Sequence, residues 1–193
     1  MRIVFIILLS SLFYNCPAPR LHITFYDIEI DYDPEIGFSS VDNPYAPINS
    51  ISLFHEHLNK LVVIAIPPAS WKKQHTNRDI KKEINNVLPI PTEYNFEIFL
   101  VNTEQELLAL FIDEIEDSDV LCGWNSDFFD TPYVAKRLEK YWGKKGIQKL
   151  CFPGANEPQF KTIELITGAT ATTIDLSGRI NADYMRLYRK YEP

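Results

Sequence analysis

Glycine is scarce in this sequence, with 7 residues against 13 prolines in a chain of 193. The shortage excludes a collagen-like repeat, and neither a Gly-rich phosphate loop nor a nucleophile elbow is present. Cysteine is scarcer still. Cys16, Cys122 and Cys151 are odd in number and fit no metal-ligand spacing, which excludes a disulfide-stapled miniprotein and points to reduced thiols. A basic excess is also missing: 19 Lys and Arg face 26 Asp and Glu, a formal net charge of −7. No global positive field therefore holds a duplex by charge alone, although carboxylates can still grip a phosphodiester through bound cations. No apolar run reaches the ~20 residues of a membrane span, so no membrane partner is expected. What the chain does hold is 46% hydrophobic residues, 13% of its residues being aromatic, enough to bury one core.

The longest apolar stretch, Ile3 to Leu9, follows Met1-Arg2. Its length suits a signal-peptide core, but Asn15-Cys16-Pro17-Ala18-Pro19 offers no good small-x-small cleavage pair. Residues 1–20 read as a separate apolar segment, signal-like or a remnant of longer upstream sequence, ahead of a domain over 21–193. A cytoplasmic location is preferred to secretion.

The domain reads as an α/β layered pattern on a mixed sheet. His22 to Tyr32 is a strand between Pro19 and Pro34, and residues 51–54 and 61–66 form a hairpin stopped by Pro67-Pro68. Ser70 to Asn86 is a polar stretch carrying a basic run, and Phe96 to Leu100 returns as a strand. Thr103-x-x-Glu106 is a capping box that opens a helix with Leu107, Leu108, Phe111, Ile112 and Ile115 on one face. Val120 to Trp124 is a short buried strand. Thr131-Pro132 opens a second helix with Val134, Leu138, Tyr141 and Trp142 turned inward and Gly143 at its end. Strands follow at 160–166 and 172–176, then 179–183 running into a helical 184–188.

Chemistry concentrates in two segments. In Phe25-Tyr26-Asp27-Ile28-Glu29, strand alternation puts Phe25, Asp27 and Glu29 on one face. Carboxylates ~7 Å apart on one face repel, and burial worsens this. Either that face is exposed or a hard divalent cation, Mg²⁺ or Mn²⁺, lies between them. In Gly123-Trp124-Asn125-Ser126-Asp127-Phe128-Phe129-Asp130, a buried strand gives way to a helix, where open α/β sheets place ligands. Asp130 reads either as a helix cap or as a third carboxylate at the end of the Asp27 strand.

Together these segments resemble the first two exonuclease motifs of family-B DNA polymerases. Asp27-Ile28-Glu29 is similar to motif I, and Asn125-x-x-x-Phe129-Asp130 to motif II. The order of a capped helix, an apolar strand ending Gly123-Trp124-Asn125 and a helix beginning Pro132-Tyr133 resembles the branch found in large tailed phages and related viruses. Asp183-Tyr184-Met185-Arg186-Leu187-Tyr188-Arg189-Lys190 resembles a further segment of that branch. The resemblance implies a ribonuclease-H-like α/β fold, with antiparallel hairpin strands in a mixed sheet and flanking helices. It also implies 3′→5′ proofreading on a single-stranded DNA 3′ end, beside the remainder of a polymerase. Asp27, Glu29 and Asp130 would then be catalytic, holding two Mg²⁺ or Mn²⁺ ions. Asn125 would position substrate, and Phe128 and Phe129 would stack on bases or pack in the core.

That family carries a third motif, Tyr-x-x-x-Asp, which does not occur here; Tyr188-x-x-x-Glu192 falls too early. Residues 21–193 are therefore expected to be an incomplete exonuclease domain, weak or inactive alone. A non-catalytic nucleic-acid-binding or scaffold module of the same fold is the alternative.

Overall fold

The alternation around Asp27 governs the architecture of the chain, whose computed structural model describes residues 14, 16–72, 76–87, 93–164 and 168–191. In β1 (Ile23–Ile30), Thr24, Tyr26 and Ile28 are buried while Phe25, Asp27 and Glu29 are exposed. The carboxylate-bearing face is thus the open one.

β1 pairs antiparallel with β2 (Ile48–His55), which turns through a 3-10 segment, Glu56–Leu58, into antiparallel β3 (Lys60–Ala65). Asn59 closes that turn in the left-handed region, where Asn is tolerated better than most residues. β4 (Asn95–Leu100) joins β3 in parallel. On the opposite side β5 (Val120–Gly123) pairs in parallel with β1, and β8 (Ile180–Asp183) with β5. The result is a 6-stranded mixed sheet in the order β4-β3-β2-β1-β5-β8. β6 (Gln159–Glu164) and β7 (Thr170–Asp175) form a separate antiparallel hairpin.

The polar stretch contains two helices that its hydrophobicity does not announce, α1 (Ala69–Lys72) and α2 (Asn77–Val87). The start of α2 is written in Thr76-x-x-Asp79. The Thr76 amide and hydroxyl donate to Asp79 Oδ2, and the Asp79 amide donates back to Thr76 Oγ1. Ile80, 2% exposed, anchors it.

α3 (Glu104–Glu114) begins at the expected capping box. Thr103 Oγ1 accepts from the Glu106 amide at 3.2 Å, and Glu106 Oε2 accepts from the Asn102 amide at 2.8 Å. Leu107, Leu108, Phe111 and Ile115 are buried as the spacing predicts, and Ile112 is partly so. α4 (Asp130–Trp142) buries Tyr133, Val134, Ala135 and Leu138. Trp142 is a correction: it is 39% exposed, and Arg137 takes an inward position instead. α3 and α4 share one core with Tyr26, Ile28, Ile51, Leu53, Val62, Ile64 and Leu121 from the sheet. α5 (Lys144–Gln148) and α6 (Tyr184–Tyr191) are the remaining described helices, α6 leaving Tyr184, Leu187 and Tyr188 exposed.

Ile3 to Leu9, Lys73, His75 and Glu192 lie outside the described residues. Among the described residues, no helix is long and apolar enough to cross a membrane.

Candidate active site

β5 follows β1 in parallel only from Ile23 to Phe25, opposite Val120 to Cys122. Gly123 then keeps the approach close, because a Cβ there would stand 2.9 Å from the Tyr26 carbonyl oxygen. Beyond this point the ladder ends, and the Ile28 amide donates instead to Asp130 Oδ1 at 3.2 Å. The chain thus opens a crevice at the carboxyl ends of two parallel strands, the usual ligand position of open α/β sheets. Asp130 stands at the first position of α4 and bonds the β1 backbone, while the cap residue is Phe129, which makes no side-chain cap of its own.

The electrostatics of the crevice are unbalanced. Asp130 is 3% exposed; burial pushes its carboxyl up to about 7, the charge of Asp27 adds to this, the Ile28 amide offsets part, and the charge of Asp183 adds again. Asp27 is raised by desolvation of its own carboxyl. Tyr26, buried on the other face of β1, is driven well above its ordinary value by burial and then by the charge of Asp130. The charge of Asp27 thus reaches Asp130, and Glu29 stands on the same open face as Asp27.

The second segment divides its labour. Asn125 adopts φ +61°, and its carbonyl accepts from the amides of Phe128 and Phe129, both at 3.1 Å. Phe129 is partly buried and packs against the core, its ring 5.4 Å from that of Tyr133. Phe128 is half-buried with the Arg186 guanidinium 5.7 Å from its ring centre.

Two features escaped the sequence reading. A groove of about 550 Å³ runs over the open sheet face beside Asp27, lined by Phe25, Phe54, Leu61, Trp124 and Tyr184. Tyr32, Ile36 and Phe38 stand exposed on the loop that directly follows the acidic strand, Phe38 at 88%. A turn at Gly37, φ +91°, presents them. The signal was apolar residues inside a Pro-, Asp- and Ser-rich loop.

The donor set is hard carboxylate oxygen throughout, which suits Mg²⁺ or Mn²⁺ in kind. Among the described residues no three acidic, His or Cys side chains converge into a ready-made cage.

Residues 8–192 match the family described as DNA polymerase family B, exonuclease domain. The chain belongs to that family. The mixed sheet with hairpin strands and flanking helices is accordingly a ribonuclease-H-like exonuclease fold. The DNA-directed DNA polymerase of Escherichia phage RB69 is 24% identical over 179 residues, covering 89% of this chain and 19% of that protein. A DNA polymerase of Pyrococcus glycovorans is 30% identical over 93 residues, 47% of this chain and 11% of the relative. A DNA polymerase of Archaeoglobus fulgidus is 35% identical over 57 residues, 28% of this chain and 7% of the relative. This exonuclease domain thus spans a minor part of the curated polymerases it matches.

Proposed function

We propose that this exonuclease domain removes the 3′-terminal nucleotide of single-stranded DNA by metal-assisted hydrolysis, a proofreading activity exercised beside the rest of a polymerase. The observation that carries the reading is Asp130: a buried carboxylate, tied to the β1 backbone between Asp27 and Glu29 and set beside other acids, with no side-chain cation paired to it among the described residues. Two Mg²⁺ or Mn²⁺ ions would supply an activated water and stabilise the departing 3′ oxygen. By matching position, Asp27 would serve both ions, Glu29 one and Asp130 the other. The Ile28 amide aims Asp130 toward β1, and Asn125 shapes the turn that delivers it. The apolar groove beside Asp27 and the exposed Phe38 and Tyr32 offer unpaired bases surfaces to stack on, with Phe128 a partly covered third. Activity of this chain alone is expected to be low, since among the described residues no three acidic, His or Cys side chains converge into a cage.

That last observation also favours a second reading, a non-catalytic binding module of the same fold. Mn²⁺ calorimetry and digestion of a 3′-labelled oligonucleotide at pH 8 separate the two. Catalysis predicts Mn²⁺ binding, slow 3′→5′ shortening, and loss of at least ~100-fold in rate for Asp27→Ala and Asp130→Ala. Digestion that survives Asp27→Ala overturns the site, and absence of Mn²⁺ binding leaves the binding module standing.

A further inference from the structure

Asp183 ends β8 opposite Gly123, at the same end of the sheet as the acidic crevice. It is 4% exposed. Its Oδ1 accepts from the Asn125 amide at 3.1 Å and from the Arg186 amide at 3.3 Å, so one buried oxygen holds both the motif loop and the start of α6. Its Oδ2 has no hydrogen-bond partner among the described residues.

The two oxygens call for different explanations. The Oδ1 contacts are what a helix-capping side chain makes, and an Asn or Ser would make them at equal or lower cost. A buried carboxylate oxygen left without a donor is unfavourable, and more so beside other acids. No side-chain cation pairs with Asp183 among the described residues, since Arg186 gives its guanidinium to Asp127 and Arg179 gives its own to main-chain carbonyls. Capping accounts for the side chain's shape and leaves its charge unexplained.

We infer that Asp183 is a further acidic residue of the cation site, a positioning residue that acts from behind Asp130. Through Oδ1 it fixes Asn125 in its left-handed conformation, a state that costs a non-glycine residue about 1 kcal/mol and needs a partner to hold it. From Asn125 the turn passes by way of the Phe128 and Phe129 amides, and the Ser126 carbonyl receives the Thr131 amide at 3.0 Å, flanking Asp130 on both sides. Through its uncompensated charge it strengthens the attraction of the crevice for a divalent ion without ligating it. This rests on the reading of Asp27, Glu29 and Asp130 as cation ligands.

Asp183→Asn separates shape from charge, because its amide oxygen still accepts from Asn125 and Arg186. The variant is expected to fold with a Tm equal to or above the wild type and to bind Mn²⁺ about 10-fold more weakly, the usual lower range for a residue outside the ligand shell. Asp183→Ser, which keeps a cap and removes the charge, is expected to lose Mn²⁺ affinity as well. Asp183→Ala additionally frees the turn, raising amide hydrogen exchange at Asn125, Phe128 and Phe129 but not in α3. Unchanged Mn²⁺ affinity in Asp183→Asn and Asp183→Ser, with Asp130→Asn abolishing it, overturns the inference and leaves the site intact. A wild type that binds no Mn²⁺ overturns the site reading and this inference together.

Discussion

Glu104 and Asp130 are each the first residue of a helix, and each is almost wholly buried. Both profit from the partial positive charge of a helix N-terminus. Their remaining surroundings differ. Glu104 accepts from the Ile48 amide at 2.8 Å, from Arg137 Nε at 2.7 Å, from the Tyr141 hydroxyl at 2.7 Å and from the Arg137 terminal nitrogen. Arg137 in turn gives its spare donor to the Pro44 carbonyl at 2.8 Å, fastening the loop after β1 to both helices. Asp130 meets the Ile28 amide and two acidic neighbours. A cation belonging to the chain completes the first site; under the proposed function the second awaits one from solution. Buried carboxylates of similar exposure thus differ in their surroundings, one fastened to an arginine of its own chain and one set among other acids.

The largest way to test this contrast is Glu104→Ala. It strands a buried guanidinium and two other donors, and is expected to cost about 3–5 kcal/mol in urea unfolding. Replacing both members by apolar residues, Glu104→Leu with Arg137→Met, is expected to recover most of that loss. A small effect of Glu104→Ala alone would remove the fastening role.

Asp130→Asn should move stability the other way. A carboxyl raised from its ordinary 3.8 to about 7 binds its proton more tightly in the folded chain than in the unfolded one. Wild-type stability therefore declines as pH rises from about 4 to about 7, and the deficit is full above pH 7. The amide carries no charge and keeps an oxygen for Ile28. Without divalent ions, Asp130→Asn is expected to gain on the order of 3 kcal/mol at pH 8 and little near pH 4. Equal Tm for the two proteins at pH 8 would mean that the acidic crevice is not strained.

Mn²⁺ should supply the missing compensation. At ten times its Kd, an ion that binds only the folded chain adds about 1.4 kcal/mol, seen as a Tm increase. Proton and cation compete at Asp130, so the increase is expected at pH 8 and lost at pH 5. It should be absent in Asp130→Asn and unaffected by changes at Lys161, whose partner Asp175 is exposed.

How far the contrast was legible in the sequence depends on the range of the interactions. β1, the hairpin and α3 follow from local alternation, proline stops and the Thr103 capping box, and the Asp27–Glu29 face follows from the same alternation. α2 was missed because its apolar residues are few, Ile80 buried, Ile84 half-buried and Val87 exposed, although Thr76-x-x-Asp79 marks its start. Glu104 and Arg137 were not singled out from the sequence, since nothing local reveals that residues 33 apart in sequence meet inside the core. Asp183 depends on parallel pairing of β8 with β5, a contact across 58 residues to Asn125. Trp142 misled because it continues the helical spacing one turn past the point where the core ends.

The smallest effect belongs to the other arginine–carboxylate pair near the site. Arg186 contacts Asp127 as Arg137 contacts Glu104, but its side chain is 59% exposed where that of Arg137 is 2%. Asp127 also keeps a second donor, Asn181 Nδ2 at 2.8 Å, so losing the guanidinium leaves it hydrogen-bonded. Water screens the Arg186 pair, and holding a long side chain in place offsets what attraction remains. Arg186→Ala is expected to cost at most about 1 kcal/mol, shrinking further in 0.5 M NaCl, whereas the Glu104→Ala loss should hardly respond to salt. If Arg186→Ala instead matched Glu104→Ala, burial would not be what separates fastening from surface contact. The distinction between Glu104 and Asp130 would then have to rest on geometry alone.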